Sequence, residues 1–224
     1  INYCKFSDIK VLSLTKDYDL INNLPSTSEL AFGLMCSMLR NIPSGFDDVK
    51  NGGWDYDKFM GHQLRGKIIG LIGYGRLGKM MKTFCDAFGM IVKIHDPYEG
   101  YDDLDLVLKE SDIISLHVHA NDETRHMINK KTLVKMKNNS YIVNTSRGEI
   151  VNEHDIVDCL RSGKLKGYAT DVIEDEYGNR QNSPILNGVK EGLNILVTPH
   201  VGGMTWEGQQ KAYKWSISKL KELK

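Results

Sequence analysis

The stretch Gly73-Tyr74-Gly75-Arg76-Leu77-Gly78 stands between a short apolar run and an amphipathic segment. The run before it, Lys67-Ile68-Ile69-Gly70-Leu71-Ile72, is rich in β-branched residues and predicts a buried strand. The residues after it carry apolar side chains at helical spacing. A second apolar run, Ile91-Val92-Lys93-Ile94-His95, ends in Asp96. This order of strand, glycine turn, helix, strand and acid is typical of a dinucleotide-binding unit.

Each glycine of this turn has its own task in such a unit. Gly73 permits the tight turn out of the strand, Gly75 lets the backbone approach a pyrophosphate, and Gly78 lets the helix pack on the strand. The free N–H groups at the start of the helix favour phosphate binding. Asp96 is placed to accept hydrogen bonds from both ribose hydroxyls, and its charge repels a 2′-phosphate. The pattern therefore predicts NAD rather than NADP.

The composition is that of a globular chain and excludes several classes of partner. Among 224 residues, 29 basic and 29 acidic side chains cancel, and no basic run indicates a nucleic-acid surface. No apolar run reaches the length of a membrane span, and no signal peptide is visible. The four cysteines lie far apart without a CxxC pair, which argues against a metal site and favours reduced thiols in the cytoplasm.

Alternating strand and helix patterns continue on both sides of this unit. A first strand is predicted at 9–14, a helix with a broad apolar face at 27–40, and an irregular segment at 43–66. Further strands are predicted at 113–118, 141–145, 168–172 and 194–198, and helices at 102–110, 129–137, 153–162 and 204–223. The alternation predicts an α/β fold with a Rossmann-type, doubly wound parallel sheet.

Four polar residues follow predicted strands, at the sheet edge where ligands bind in open α/β sheets. They are Arg147, Asp171, Glu176 and His200. A guanidinium binds a carboxylate through two parallel hydrogen bonds, and a histidine beside a carboxylate transfers a proton near neutral pH. Singly, each has a simpler explanation: a surface ion pair for Arg147, a solvated acidic loop for Glu176 and a turn for His200. Together with a nicotinamide, they suit the oxidation of a 2-hydroxy acid or the reduction of a 2-keto acid.

The chain resembles the NAD-binding domain of the D-isomer-specific 2-hydroxyacid dehydrogenases over roughly residues 26–220. The family includes D-lactate, D-glycerate/hydroxypyruvate and 3-phosphoglycerate dehydrogenases. The matching stretches occur in family order: Trp54, residues 64–78, Asp96-Pro97-Tyr98, residues 111–117, Glu123-Thr124, Asn144-Thr145-Ser146-Arg147-Gly148, Asp171-Val172, and Thr198-Pro199-His200-Val201-Gly202-Gly203.

The resemblance implies a role for each matching residue. Arg147 binds the substrate carboxylate, His200 is the acid/base, Glu176 is its partner, and Asp171 lies by the nicotinamide carboxamide. The implied cofactor-binding residues are Gly73, Gly75, Arg76, Leu77, Gly78, Asp96, His117, Thr124, Thr145, Arg147, Asp171, His200 and Gly203.

The chain also departs from the family pattern. His117-Val118-His119 stands where His-x-Pro is frequent, and Tyr177 follows Glu176 where proline is usual, with Pro184 later. We therefore expect an altered loop after Glu176. His117 and His119 are expected to be structural or to line the cleft. A formate dehydrogenase is disfavoured, because that branch typically has glutamine in place of Glu176.

The short segment before the glycine turn, which begins at Ile1 and not at Met, predicts that most of the family's substrate domain is missing. Residues 1–25 are expected to be a remnant strand and linker of that domain, 26–205 the NAD-binding domain, and 206–224 a helix returning to the substrate domain. These residues alone are expected to be weakly active or inactive, and the helix at 27–40 is expected to form a homodimer. Two alternatives are an NAD(H)-sensing module of the corepressor type and a methyltransferase using S-adenosylmethionine.

Overall fold

The computed structural model describes residues 10–14 and 17–222, which fall into two compact units. The larger unit is Thr27–Gly202. The smaller unit contains the described residues up to Ser26 and those from Gly203 onward. Within the described part of the chain, no helix is both long and apolar enough to cross a membrane.

The larger unit is built on one sheet of six parallel strands. The strands are β1 (Ile68–Ile72), β2 (Ile91–His95), β3 (Ile113–Leu116), β4 (Ser140–Asn144), β5 (Leu165–Thr170) and β6 (Ile195–Val197). Their order across the sheet is β2-β1-β3-β4-β5-β6, so β1 pairs with β2 on one side and with β3 on the other. The strand order reverses at β1, which makes the end of this strand the ligand-binding switch point.

Helices cover both faces of the sheet. In chain order they are α1 (Tyr18–Ile21), α2 (Ser26–Leu39), α3 (Ile42–Lys50), α4 (Arg76–Ala87), α5 (Leu104–Glu110), α6 (Lys130–Leu133), α7 (Glu153–Arg161), α8 (Pro184–Lys190) and α9 (Trp206–Glu222). Short 3-10 helices occur at Asp57–Phe59, Gly148–Ile150 and Arg180–Asn182.

Two hydrophobic cores lie on opposite faces of the sheet because successive strand residues point to opposite sides. Ile69 and Leu71 of β1 belong to the core that contains residues of α2 and α4. Ile72 and Leu116 belong to the other core, with residues of α5, α7 and α8. The predicted α/β fold with a doubly wound, Rossmann-type parallel sheet is thereby confirmed.

The segment around residues 41–50 differs from the sequence prediction of an irregular chain. Asn41 adopts a left-handed conformation with φ 52°, which ends α2 and lets α3 begin at Ile42. Pro43 lies in the first turn of α3, where the missing N–H is unpaired in any helix. The proline therefore starts a second helix within the segment that the sequence predicts to be irregular.

The predicted strand at 9–14 is also wrong within the described residues 10–14, which form no strand. Ile9 lies outside the described residues. Lys10 to Ser13 make no strand pairing, and a strand is stable only when its backbone groups are paired with a neighbour.

The smaller unit is held by contacts between its two chain segments. The indole N–H of Trp215 donates to the Asp17 carboxylate at 2.5 Å, and Ser26 and Thr205 share a hydroxyl hydrogen bond of 2.8 Å. The predicted C-terminal helix is observed as α9. The assignment of these segments to a substrate domain stays a prediction.

Two glycine-to-alanine variants test the packing of helix on sheet. A Cβ at Gly70 in β1 would stand 2.6 Å from Val107 Cγ1 and 2.7 Å from Ile114 Cδ1. Gly70→Ala is therefore expected to lower the free energy of unfolding by about 1–3 kcal/mol. Gly33 in α2 has open space at its Cβ position, so Gly33→Ala is expected to raise the free energy of unfolding by up to about 1 kcal/mol.

Urea denaturation of the two variants and the wild type measures both effects. If Gly70→Ala and Gly33→Ala changed the free energy of unfolding by the same amount and in the same direction, this result would contradict the close approach of α5 to β1.

Candidate active site

The glycine turn after β1 has the geometry that its sequence predicts. Gly73 has φ 94°, and a Cβ there would stand 2.7 Å from the His117 carbonyl oxygen. A Cβ on Gly78 would overlap the Gly73 carbonyl, so the start of α4 lies directly against the turn. Gly75, by contrast, has no atom within 4 Å of a built Cβ. The turn is therefore closely packed at Gly73 and Gly78 and open at Gly75. We call the open space beside Gly75 the cradle.

The start of α4 has no side-chain cap from its N-cap residue. That residue is Gly75, and Leu77 lies in the first turn that follows it. Uncapped N–H groups and the positive end of the helix dipole attract anions. The cradle therefore fits the pyrophosphate of a dinucleotide, as the sequence predicts.

Asp96 follows β2 and holds the glycine turn itself. The residue is only 9% exposed; its Oδ2 accepts the Tyr74 N–H at 2.7 Å and its Oδ1 accepts the Tyr98 N–H at 3.0 Å. Each carboxylate oxygen has a second acceptor position, which leaves capacity for ribose hydroxyls. The sequence analysis missed this second task of Asp96, because hydrogen bonds to backbone N–H groups leave no residue pattern.

His117 lies at the end of β3, against the glycine turn. Its Nε2 is 2.9 Å from Ser115 Oγ, whereas its buried Nδ1 has no hydrogen-bond partner among the described residues. Burial lowers the pKa of His117 to about 4, so the ring is neutral near pH 7. Thr124, in the loop after β3, donates its hydroxyl hydrogen to the His119 carbonyl at 2.6 Å and thereby stabilises a local turn.

Arg147 extends from the end of β4 into solvent. Its Nη1 donates to the Ser146 carbonyl at 2.6 Å, and the side chain is otherwise exposed, while Thr145 is buried. A Cβ on Gly148 would overlap the backbone of Ile173 and Glu174. The backbone after β4 therefore packs directly on the backbone after β5, which brings the loop of Arg147 against the loop that leads to Glu176.

Asp171, at the end of β5, organises the loop after β6. Its carboxylate is 2% exposed and accepts hydrogen bonds from Thr198 Oγ1 at 2.5 Å, Val201 N at 2.9 Å and Gly202 N at 2.7 Å. The Asp171 carbonyl also accepts the His200 N–H at 2.9 Å. These bonds fix a turn in which His200 has the left-handed conformation, with φ 55°.

His200 and Glu176 form a hydrogen-bonded pair. The Nδ1 atom of His200 lies 2.9 Å from both Oε1 and Oε2 of Glu176. The side chain of His200 is 39% exposed and that of Glu176 is 18% exposed. A cavity of about 550 Å³ borders the pair and is also lined by Tyr177 and Arg180. Because Nδ1 faces the carboxylate, Nε2 is the ring nitrogen left for a substrate.

The loop that carries Glu176 is closed by a residue that the sequence analysis missed. Glu153, the first residue of α7, is 4% exposed; its Oε1 accepts the Glu174 N–H at 2.8 Å and its Oε2 accepts the Ser183 hydroxyl at 2.9 Å. Burial raises the pKa of Glu153, although both hydrogen bonds oppose this shift. An acid at the start of a helix is ordinary, so its position in the sequence gave no signal.

The structure thus joins some of the predicted residues directly and leaves others apart. Asp171, Glu176 and His200 belong to one network at the ends of β5 and β6, and Gly73, Gly78, Asp96 and His117 surround the turn after β1. Gly203 lies in the smaller unit, where its carbonyl accepts from Gln209 at 3.1 Å. The functional roles of all these residues stay predictions.

The partly buried His117, whose Nδ1 atom is fully buried, predicts a pH effect on stability. Because the folded chain disfavours the charged ring, the unfolded chain binds this proton more readily between pH 6.5 and about 4. The wild type is therefore expected to lose stability relative to His117→Gln as the pH falls through this range, by at most about 1.4 kcal/mol per pH unit. Urea denaturation at several pH values measures the difference.

His119→Gln is the matched control, since His119 is exposed and nearby. A constant difference between the wild type and His117→Gln from pH 7 to 4 would show that the His117 ring is not buried as described.

Comparisons with known proteins identify the family. Residues 32–202 match the model of the D-isomer-specific 2-hydroxyacid dehydrogenase NAD-binding domain, which also confirms the expectation of NAD. The chain is 35% identical to D-3-phosphoglycerate dehydrogenase of Methanocaldococcus jannaschii over 96% of its own length and 43% of that protein's. It is 37% identical to hydroxypyruvate reductase of Thermotoga maritima, over 89% of this chain and 67% of the relative.

A solved structure agrees with these matches. D-Lactate dehydrogenase of Aquifex aeolicus, in a complex with NAD and lactic acid, superposes with a TM-score of 0.86 and 29% identity over 99% of this chain and 71% of that one. The chain spans less than half the length of the phosphoglycerate dehydrogenase that it matches. From the matched region and the fold together, the chain belongs to the family of D-isomer-specific 2-hydroxyacid dehydrogenases and contains the NAD-binding domain of that family.

Proposed function

We propose that the protein is an NAD-dependent oxidoreductase that interconverts a D-2-hydroxy acid and its 2-keto acid. The observation that carries this proposal is the pair of His200 and Glu176, hydrogen-bonded at 2.9 Å. The pair stands at the same edge of the sheet as the glycine turn after β1, since all six strands are parallel. The shared edge supports the proposal that the pair transfers a proton and that the turn after β1 holds a dinucleotide.

Each of the three proposed catalytic residues has a distinct task. Arg147, exposed at the end of β4, binds the substrate carboxylate through its planar guanidinium and polarises the neighbouring carbonyl. Glu176 holds the His200 ring through Nδ1 and faces the positive charge of the ring when it is protonated. His200 donates the Nε2 proton to the carbonyl oxygen in reduction and accepts the hydroxyl proton in oxidation.

The cofactor complements this set. Bound NADH supplies the hydride that reduces C2 of the keto acid. The residues that would hold it are Gly75, beside which the structure leaves open space for the pyrophosphate, and Asp96 for the adenosine ribose. The acidic side chain of Asp96 disfavours the additional phosphate of NADP.

Replacing the acid/base tests this assignment. In the complete protein, His200→Gln is expected to reduce kcat for glyoxylate, hydroxypyruvate or pyruvate by about 10²- to 10⁴-fold, because proton transfer to the oxygen is lost. NADH affinity is expected to change little, since the glycine turn and Asp96 are untouched. NADH oxidation followed by absorbance measures kcat, and fluorescence titration measures NADH affinity.

His154→Gln is the control, because His154 is exposed on α7. Tight NADH binding by a wild type that reduces none of the three keto acids would contradict an oxidoreductase for these substrates and favour an NAD(H)-sensing module.

We also propose a homodimer, in which a second copy covers an apolar surface on α3. The expected interface, α2, buries Leu34, Met35 and Met38 in the core of its own chain. On α3 the apolar residues are exposed instead. The residues with exposed apolar side chains are Ile42, Phe46 and Val49 of α3 and, in the segment that follows it, Trp54, Tyr56 and Met60, with Phe46 67% and Trp54 85% exposed. Exposed apolar patches of this kind mark interaction sites.

Phe46→Glu tests the dimer, since a charge in an apolar interface has to be desolvated. Sedimentation at micromolar concentration is expected to give a dimer for the wild type and a monomer for Phe46→Glu. Val134→Glu, an equally exposed position away from α3, is expected to remain dimeric. A wild-type monomer, or a dimer of Phe46→Glu, would contradict this interface.

The cytoplasm is the compartment that we propose. Cys36, Cys85 and Cys159 are free thiols, and burial raises the pKa of Cys85 to about 12. Such thiols suit a reducing compartment, where disulfides are rare.

A further inference from the structure

The segment from Glu174 to Ser183 carries Glu176 and has few attachments to the rest of the described protein. Inside the segment the hydrogen bonds are local, such as the Asn179 N–H to Asp175 Oδ2 at 2.9 Å. Apart from the contact of Glu176 with His200, the described hydrogen bonds that leave the segment start at its two ends, Glu174 and Ser183. The position of Glu176 therefore depends on how the ends are held.

Both ends are held by one buried carboxylate. Glu153 accepts the Glu174 N–H with one oxygen and the Ser183 hydroxyl with the other, at 2.8 and 2.9 Å. Ser183 in turn caps α8 by accepting the Leu186 N–H at 3.4 Å. A buried carboxylate is costly unless its oxygens are paired, so the two donors are held firmly in place.

A second set of contacts holds the Glu174 end of the segment. Glu174 Oε1 accepts Arg125 Nη2 at 2.7 Å and lies 2.9 Å from His126 Nε2. These contacts are half-exposed, and exposed ion pairs contribute little to stability. Glu153 is therefore the stronger of the two anchors.

We propose that Glu153 is a positioning residue for catalysis: by closing the segment 174–183 it sets Glu176 against the Nδ1 of His200. The inference rests on the proposed function. It assigns Glu153 no contact with substrate or cofactor, and its effect on the reaction passes through Glu176.

Two substitutions separate the carboxylate's hydrogen bonds from its charge. Glu153→Ala removes both acceptors and is expected to reduce kcat of the complete protein with hydroxypyruvate or glyoxylate by about 100-fold, the size of effect that a displacement of about 1 Å causes. Glu153→Gln keeps an acceptor for Glu174 and a polar contact for Ser183, so it is expected to remain within a few fold of the wild type. NADH affinity is expected to be unchanged in both.

A double-mutant cycle distinguishes positioning from a general loss of structure. If Glu153 acts through Glu176, adding Glu153→Ala to Glu176→Gln is expected to cause little further loss of kcat. Independent, multiplicative losses would overturn the proposal. If Glu153→Ala does not fold, Ser183→Ala, which removes one of the two ties, completes the same cycle.

Hydrogen exchange gives a readout that does not require turnover. In Glu153→Ala the amides of the segment 174–183 are expected to exchange faster, while those of the glycine turn after β1 are unchanged. Asp158→Ala, an exposed acid on the same helix, is the control and is expected to behave like the wild type. Unchanged exchange in Glu153→Ala would overturn the inference. A wild type without turnover would instead overturn the proposed function and leave this exchange result to be judged separately.

Discussion

The buried carboxylate of Asp171 is the interaction on which the proposed catalytic half of the sheet edge depends. It accepts three hydrogen bonds from the loop after β6 and forms no ion pair with any residue that the structure describes. Hydrogen bonds to a buried charged acceptor are strong, and here they offset the left-handed conformation of His200, a strain of about 1–3 kcal/mol. The direction of the His200 ring toward Glu176 follows from that backbone conformation.

Asp96 performs the same physical task at the other half of the edge. It follows β2, is nearly buried, and fixes the glycine turn after β1 through the Tyr74 N–H. Two acids at strand ends thus fix the two loops that matter most for function. The loop after β4 lies against the backbone of the loop after β5 at Gly148. Glu174, in the loop after β5, also accepts a hydrogen bond from Arg125 in the loop after β3. Geometry at the proposed cofactor cradle and at the proposed proton-transfer pair is therefore set by one sheet edge.

The sequence was sufficient for the sheet and the glycine turn, because periodicity and strand-end position follow directly from the order of residues. The pairing of Glu176 with His200 was implied only by the resemblance to the family. The sequence was insufficient for features of the fold that depend on tertiary contacts. Nothing local marks Glu153 as the closure of a distant loop. The irregular segment expected at 43–66 begins inside a helix, because a left-handed Asn41 ends one helix and lets the next begin at Ile42. The strand expected at 9–14 has apolar residues but, within residues 10–14, no neighbouring strand to pair with.

The central claim is that the cradle after β1 and the pair of His200 and Glu176 form one dehydrogenase site. Isotope transfer tests it most directly: NADH carrying deuterium at both hydrogen positions of nicotinamide C4 is supplied to the complete protein with hydroxypyruvate, glyoxylate and pyruvate. The account predicts a D-2-hydroxy acid from hydroxypyruvate or pyruvate with deuterium at C2, formed by the wild type and at least about 100-fold more slowly by His200→Gln. A product of L configuration, or one without deuterium at C2, would contradict it.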